Sequence, residues 1–401
     1  MKTDYASRMK RFPSALFLIF LVGCSTIATP LRFTGPWDVK ALHAVPVATF
    51  GPRSNLVSEV YYAGEPFQGK PTRIFAYYGR PAEGNGPFPA MLLVHGGGGK
   101  AFREWAEHWA KRGYVALAMD LAGHGPDGRL PDGGPEQDDL NKFREFTETE
   151  ANKMWTYHAV AAVLRGHSLL AAQPEVDRNR IGVSGISWGG YLTCIAAGVD
   201  DRLKVAVPVY GCGFLNDNSV WLARFEKMSV AQRNRWVAFF DPSRYLGGVN
   251  CPILFLNGSN DFAYPLDSYQ KSYLAVKGPM TLSVKVRLPH GHIWTFNEVD
   301  CFVDSVLKGG DPLPKLQPMK ISGAGVTTAF AARIPLTKAE LNYTTDSGEW
   351  SKRLWKTVPA AMVDGEVTAR LPLERPLVGY LSVTDQRDVT VTTPHVTLLA
   401  P

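Results

Sequence analysis

The chain has 401 residues, a formal net charge of +6, 45% hydrophobic residues and 20% charged ones. That apolar share suits one large folded core with a smaller module beside it, and excludes a disordered chain. Lys2, Arg8, Lys10 and Arg11, set against Asp4, supply half of the net charge; no basic tract with interleaved aromatics follows, so nucleic acid is excluded as a partner.

Behind the basic start lies the apolar run Ala15–Val22, too short to span a bilayer. It ends in Leu21-Val-Gly-Cys24, which resembles the lipobox of bacterial lipoproteins. The resemblance implies removal of residues 1–23, lipid attachment at Cys24 and, with Ser25 rather than an aspartate following, transfer to the outer membrane, so that membrane contact is by lipid anchor only. An ordinary secretory signal is the alternative, and both export the protein. Residues 24–55, rich in Pro, Thr and Val without periodicity, are expected to form a tether.

Val57–Tyr62 and Arg73–Tyr78 read as an antiparallel strand pair. From Ala90 to Leu307 strand-like and helical patterns alternate, which predicts a doubly wound, mostly parallel α/β sheet over residues 56–310. Met91–Val94 runs into His95-Gly96-Gly97-Gly98-Gly99, a loop whose backbone N–H groups can approach a developing oxyanion because no side chains intervene. Gly97 is the expected donor. Lys100 is followed by Ala101, so the phosphate-loop pattern is not met. Asp120, after Val115–Met119, is expected to order its own loop, and His158 and His167 to lie in the core or on the surface of the helix Met154–Leu170.

Ile181–Ser184 predicts a buried strand and Tyr191–Ala197 a helix, with Gly185-Ile-Ser187-Trp-Gly189 between them. That spacing places a serine on a sharp turn whose flanking positions tolerate no Cβ, and leaves its hydroxyl clear of the sheet. The Trp188 N–H is then the second oxyanion donor. Cys251–Asn257 is a continuous apolar run that leads to Asp261, and Leu282–Leu288 alternates as a last strand into Pro289-His290-Gly291-His292. Serine, aspartate and histidine thus follow strand ends in the order a catalytic triad needs on such a sheet. His292 is favoured as the base because it follows a glycine further along the loop; His290 stays open, otherwise a contact beside the site.

Over residues 211–246 the alternation lapses into an aromatic stretch with Trp221, Phe225, Trp236, Phe239 and Phe240, expected to cap the site and set selectivity. After Lys308–Pro314, short strand-like runs divided by turn residues predict an accessory immunoglobulin-like β-sandwich over 315–401. In it Trp350, Trp355 and Tyr380 are expected in the core, with a sugar-stacking platform as the alternative.

His95-Gly-Gly-Gly-Gly-Lys-Ala-Phe-Arg-Glu-Trp105, Arg112-Gly-Tyr-Val-Ala-Leu-Ala-Met-Asp120 and Gly185-Ile-Ser-Trp-Gly-Gly190 together resemble the α/β-hydrolase superfamily over Val57–Gly310. They are most similar to the branch of acetyl xylan esterases, dienelactone hydrolases and acylaminoacyl-type peptidases. The resemblance implies Ser187 as nucleophile, Asp261 as acid and a histidine of the 289–292 loop as base. The expectation is therefore a serine carboxylic-ester hydrolase, acting through an acyl-enzyme on acetyl esters of polysaccharide. One alternative is a serine exopeptidase of the prolyl oligopeptidase type, although such enzymes carry a large domain for which there is no room before Val57. Another is an inactive glycan-binding surface lipoprotein. No organic cofactor is implied, and no metal site is expected, since Cys194, Cys212, Cys251 and Cys301 lack metal-ligand spacing.

Overall fold

The computed structural model describes Met1, residues 32–294 and residues 296–399. The chain builds a nine-stranded sheet from β1 (Ala48–Ser54), β2 (Val57–Ala63), β3 (Arg73–Gly79), β4 (Phe88–Val94), β5 (Val115–Met119), β6 (Val176–Ile186), β7 (Val205–Val209), β8 (Ile253–Gly258) and β9 (Met280–Lys285). Its spatial order is β1-β2-β3-β5-β4-β6-β7-β8-β9, parallel from β5 to β9 with β3, β2 and β1 added antiparallel at one edge. Every residue of β5, β7 and β8 is buried, which is why these strands read as unbroken apolar runs rather than alternating ones.

Helices α1 (Arg103–Lys111), α2 (Trp155–Ala171), α3 (Trp188–Val199), α4 (Leu266–Leu274) and α5 (Asn297–Leu307) flank the sheet, and a further helix, Val230–Phe240, lies in the 211–246 stretch. Arg112, at the end of α1, pairs with Asp304 of α5, and the His108 imidazole meets Asp300 at 3.0 Å. Burial pushes the imidazoles of His158 and His167, both on α2, down to about 4.

The expected tether over 24–55 is corrected by the structure over its described part. Trp37 is buried, its indole N–H donates to the Tyr157 carbonyl at 2.9 Å, and β1 pairs along β2. The strand was hidden because Gly51 and Pro52 interrupt it at a register shift between Phe50 and Arg53, a device confined to sheet edges.

Residues 315–398 form two antiparallel sheets, the longest pairing being Leu336–Thr344 with Leu377–Asp385. Val326, Leu341, Val367, Leu377, Leu381 and Val383 make their shared core. Trp355, Val378, Tyr380, Val389 and Val391 belong instead to the core of the large sheet. These strands are therefore joined to the α/β core through a common apolar layer, with Trp355 and Tyr380 in it as expected and Trp350 only half-buried at its margin.

Candidate active site

Ser187 sits between β6 and α3 with φ 60° and ψ −119°, a strained conformation for a residue with a side chain. Its neighbours make that turn possible. A Cβ on Gly185 would overlap the Gly189 carbonyl, one on Gly189 the Val94 carbonyl, and one on Gly190 would lie 2.6 Å from the Val209 carbonyl. The Ser187 N–H donates to Val209 at 2.9 Å and its carbonyl accepts from Tyr191 at 3.0 Å, so helical bonding starts at once. The Trp188 N–H belongs to the first turn of α3, where no intrahelical acceptor exists.

The glycine loop after β4 lies against this turn, since a Cβ on Gly97 would stand 3.0 Å from Trp188 Cδ1. Two histidines hold it. His95 Nε2 accepts the Leu121 N–H at 2.9 Å, which leaves the proton on Nδ1 to donate to the Gly96 carbonyl at 2.7 Å. His292 Nε2 accepts the Gly96 N–H at 2.9 Å, and its ring packs 5.1 Å from Phe102. Burial, then the neighbouring His95 and His290, keep the His292 pKa below the ordinary imidazole value, favouring the neutral form that can accept.

Asp261 is buried on the loop after β8. Its Oδ1 accepts the N–H groups of Ala263 and Tyr264 at 2.9 and 2.8 Å, and its Oδ2 lies 2.7 Å from His290 Nδ1. His290 stacks on Tyr210, with centroids 4.6 Å apart, and Tyr210 directly follows the Val209 whose carbonyl holds the Ser187 N–H. The carboxylate therefore pairs with His290 and not with the favoured His292. The reason is where the strand stops: β9 ends at Lys285 and Arg287 turns with φ 55°, so the loop begins before Leu288 and His290 already has the reach.

Other sequence-derived residues fall as follows. Asp120 Oδ1 accepts the N–H groups of Ala122 and His124 at 2.9 and 2.7 Å, which orders its loop. Cys194 and Cys212 are buried free thiols. Cys24 lies outside the described residues. Among the described residues no cluster of three or more His, Cys, Asp or Glu side chains is placed to hold a metal ion.

The aromatics of 211–246 pack onto Trp188: Trp221 lies 4.5 Å from it, and Phe225 and Trp236 extend the cluster through Phe143. Sequence reasoning missed that the segment before α2 shares in this. Lys142 is buried there with its ammonium 4.8 Å from the Trp188 ring, and burial lowers its pKa. Lys142 lies on the short helix Asp139–Phe143, whose cap Asp138 accepts the Asn141 N–H at 2.7 Å.

The sheet order, the strained serine turn and the acid-histidine pair at adjacent strand ends define an α/β-hydrolase fold. Residues 50–245, a little under half of the chain, match the family model described as acetyl xylan esterase (AXE1). Acetyl esterase Axe7A of Xylanibacter ruminicola is 24% identical over 205 residues, covering 48% of this chain and 46% of that protein. The chain spans about half the length of the curated relatives it matches. An acetyl xylan esterase from Paenibacillus sp. R4 superposes with a TM-score of 0.54 at 22% identity, over 67% of this chain and 92% of that one. Acetyl xylan esterase 1 from Thermoanaerobacterium sp. JW/SL YS485 gives 0.53 at 18% identity, over 67% and 94%. These two structures establish the fold.

Proposed function

We propose that the protein is a serine carboxylic-ester hydrolase that removes acetyl groups from polysaccharide. The observation that carries this reading is the 2.7 Å contact between Asp261 Oδ2 and His290 Nδ1, on a ring stacked on Tyr210, the residue after the Val209 whose carbonyl holds the Ser187 N–H. In the mechanism Ser187 Oγ attacks the ester carbonyl while His290 Nε2 takes its proton. Asp261 fixes the tautomer and stabilises the imidazolium. The Trp188 and Gly97 N–H groups receive the oxyanion, each lowering the barrier by roughly 3–4 kcal/mol. The imidazolium then protonates the departing alcohol, and water activated by the same histidine releases acetate from the acyl-serine. His292 is a positioning residue that holds the Gly96 end of the oxyanion loop.

The acetyl specificity is supported by the family match over residues 50–245 and by the relative Axe7A. The proposal includes export through residues 1–23 and a lipid on Cys24, placing the enzyme at the outer membrane, where acetylated glycans are met. A fluorophosphonate probe should label the purified protein, and p-nitrophenyl acetate should be turned over, both depending on Ser187. Failure of the probe to label folded protein sinks the reading.

A further inference from the structure

Beside the triad acid a cleft of about 640 Å³ opens, lined by three separate stretches of chain. Asn218–Leu222 of the aromatic insertion forms one wall, Phe262, Pro265 and Asp267 another, and Gly348–Arg353 of the C-terminal sheets the third. Asp261 itself is one of the lining residues. The volume falls within the roughly 300–1,000 Å³ of small-molecule sites.

Its surface is aromatic and polar, and its charged side chains are engaged by neighbouring groups of the protein. Phe262 is 57% exposed although its ring packs 4.9 Å from His290, so one face is left outward next to the base. Trp350, on the C-terminal side, carries the Arg353 guanidinium 3.7 Å from its ring centroid. Asp267 accepts from the Asn218 amide at 2.8 and 3.1 Å and from the Ser268 N–H at 2.9 Å, and Glu349 pairs with Lys352 at 2.7 Å. Such a lining suits a neutral ring system that has apolar C–H faces and a rim of hydroxyls.

The wall is also built to stay in place. The Asn260 amide donates to the carbonyls of Trp350, Ser351 and Arg353 at 3.3, 3.1 and 2.7 Å, so the turn carrying Trp350 is fastened to the residue preceding the triad acid. On the opposite wall, Trp221 packs on Trp188 while its neighbours Val220 and Leu222 face the cleft. Two walls are thus referenced directly to the catalytic residues.

We propose that this cleft binds the alcohol part of the ester as a neutral oligosaccharide, with Phe262 as the stacking face, the Arg353-covered Trp350 as the opposite wall, and Asn218, Asp267 and Arg353 as the hydrogen-bonding rim. The proposal rests on the esterase reading above, and gives the C-terminal sheets a direct part in substrate selection. Xylotetraose and mannotetraose titrated calorimetrically into Ser187→Ala protein test it without turnover. Saturable binding of at least one is expected, weakened about tenfold or more by Trp350→Ala or Phe262→Ala and restored by Trp350→Tyr. Near-ultraviolet circular dichroism confirms that each variant is folded. Absence of binding, or equal affinity in the alanine variants, overturns the proposal. Hydrolysis of p-nitrophenyl acetate by the unaltered protein separates the two readings: turnover without tetrasaccharide binding sinks the cleft alone, whereas binding without turnover supports the cleft and sinks the esterase.

Discussion

At Ser187 a side chain is held where only glycine is comfortable, and that strain keeps the hydroxyl off the sheet. Replacing Ser187 or His290 with alanine should each lower kcat on p-nitrophenyl acetate by about 10⁴–10⁶, and the double variant should be no slower than the worse single one, because in the proposed mechanism the pair acts as a unit. Additive losses in steady-state kinetics would contradict the shared role. His292 behaves differently because its Nε2 holds the glycine loop through the Gly96 N–H at 2.9 Å while its ring packs on Phe102 and Trp105. His292→Ala is expected to cost roughly 10- to 100-fold in kcat with KM little changed, less than removing a whole oxyanion donor. His292→Gln, which keeps an acceptor, should recover much of that loss. If both variants match the parent, the loop does not depend on His292. From the sequence His292 is favoured over His290, and the pairing of Asp261 with His290 overturns that choice, because it turns on the left-handed Arg287 that shortens β9.

Among the elements, the parallel strands and the serine turn were legible because their signals are local: apolar runs buried on both faces, and glycines required by backbone carbonyls. Gly189→Ala places a methyl against the Val94 carbonyl, a backbone contact that cannot swing away. It should lower the free energy of unfolding by roughly 3 kcal/mol or more and abolish probe labelling. A denaturation midpoint equal to the parent's would show the turn to be more plastic than described. The edge strand β1 was not legible, because Gly51 and Pro52 mimic a linker while Trp37 anchors it from outside any periodic pattern. The nest around Trp188 escaped for another reason. Lys142, Phe143, Trp221 and Trp236 come from distant stretches, and no local pattern records that they meet.

Across the whole molecule, buried imidazoles and the shared apolar layer set the stability. Burial pushes His158, His167 and His395 down to about 4 in the folded protein. The unfolded chain therefore takes up protons first as pH falls below about 6.5, so stability is complete above that pH and is lost between there and about 4. Each histidine contributes up to roughly 3 kcal/mol to that loss. Urea midpoints measured at pH 7 and pH 5 should differ accordingly, and equal midpoints would sink the assignment. Because Trp355, Tyr380 and Val391 complete the core of the large sheet, a chain ended after Pro314 should be insoluble, while the full protein should melt in one calorimetric transition. Two separated transitions would argue for independent modules. As a test of the proposed anchor, labelled palmitate should enter the protein in a Gram-negative host and fail to enter Cys24→Ala.

The contact between the Val284 N–H and the Thr392 hydroxyl, at 3.3 Å, reaches beyond stability. Residues 390–392 shield the outer flank of β9, and at the far flank β1 is kinked by its glycine and proline. With one border guarded and the other bent, the nine strands present no straight, unpaired rail along which a second molecule could zip. Edge-to-edge growth into fibrils is thereby opposed at both borders of the sheet.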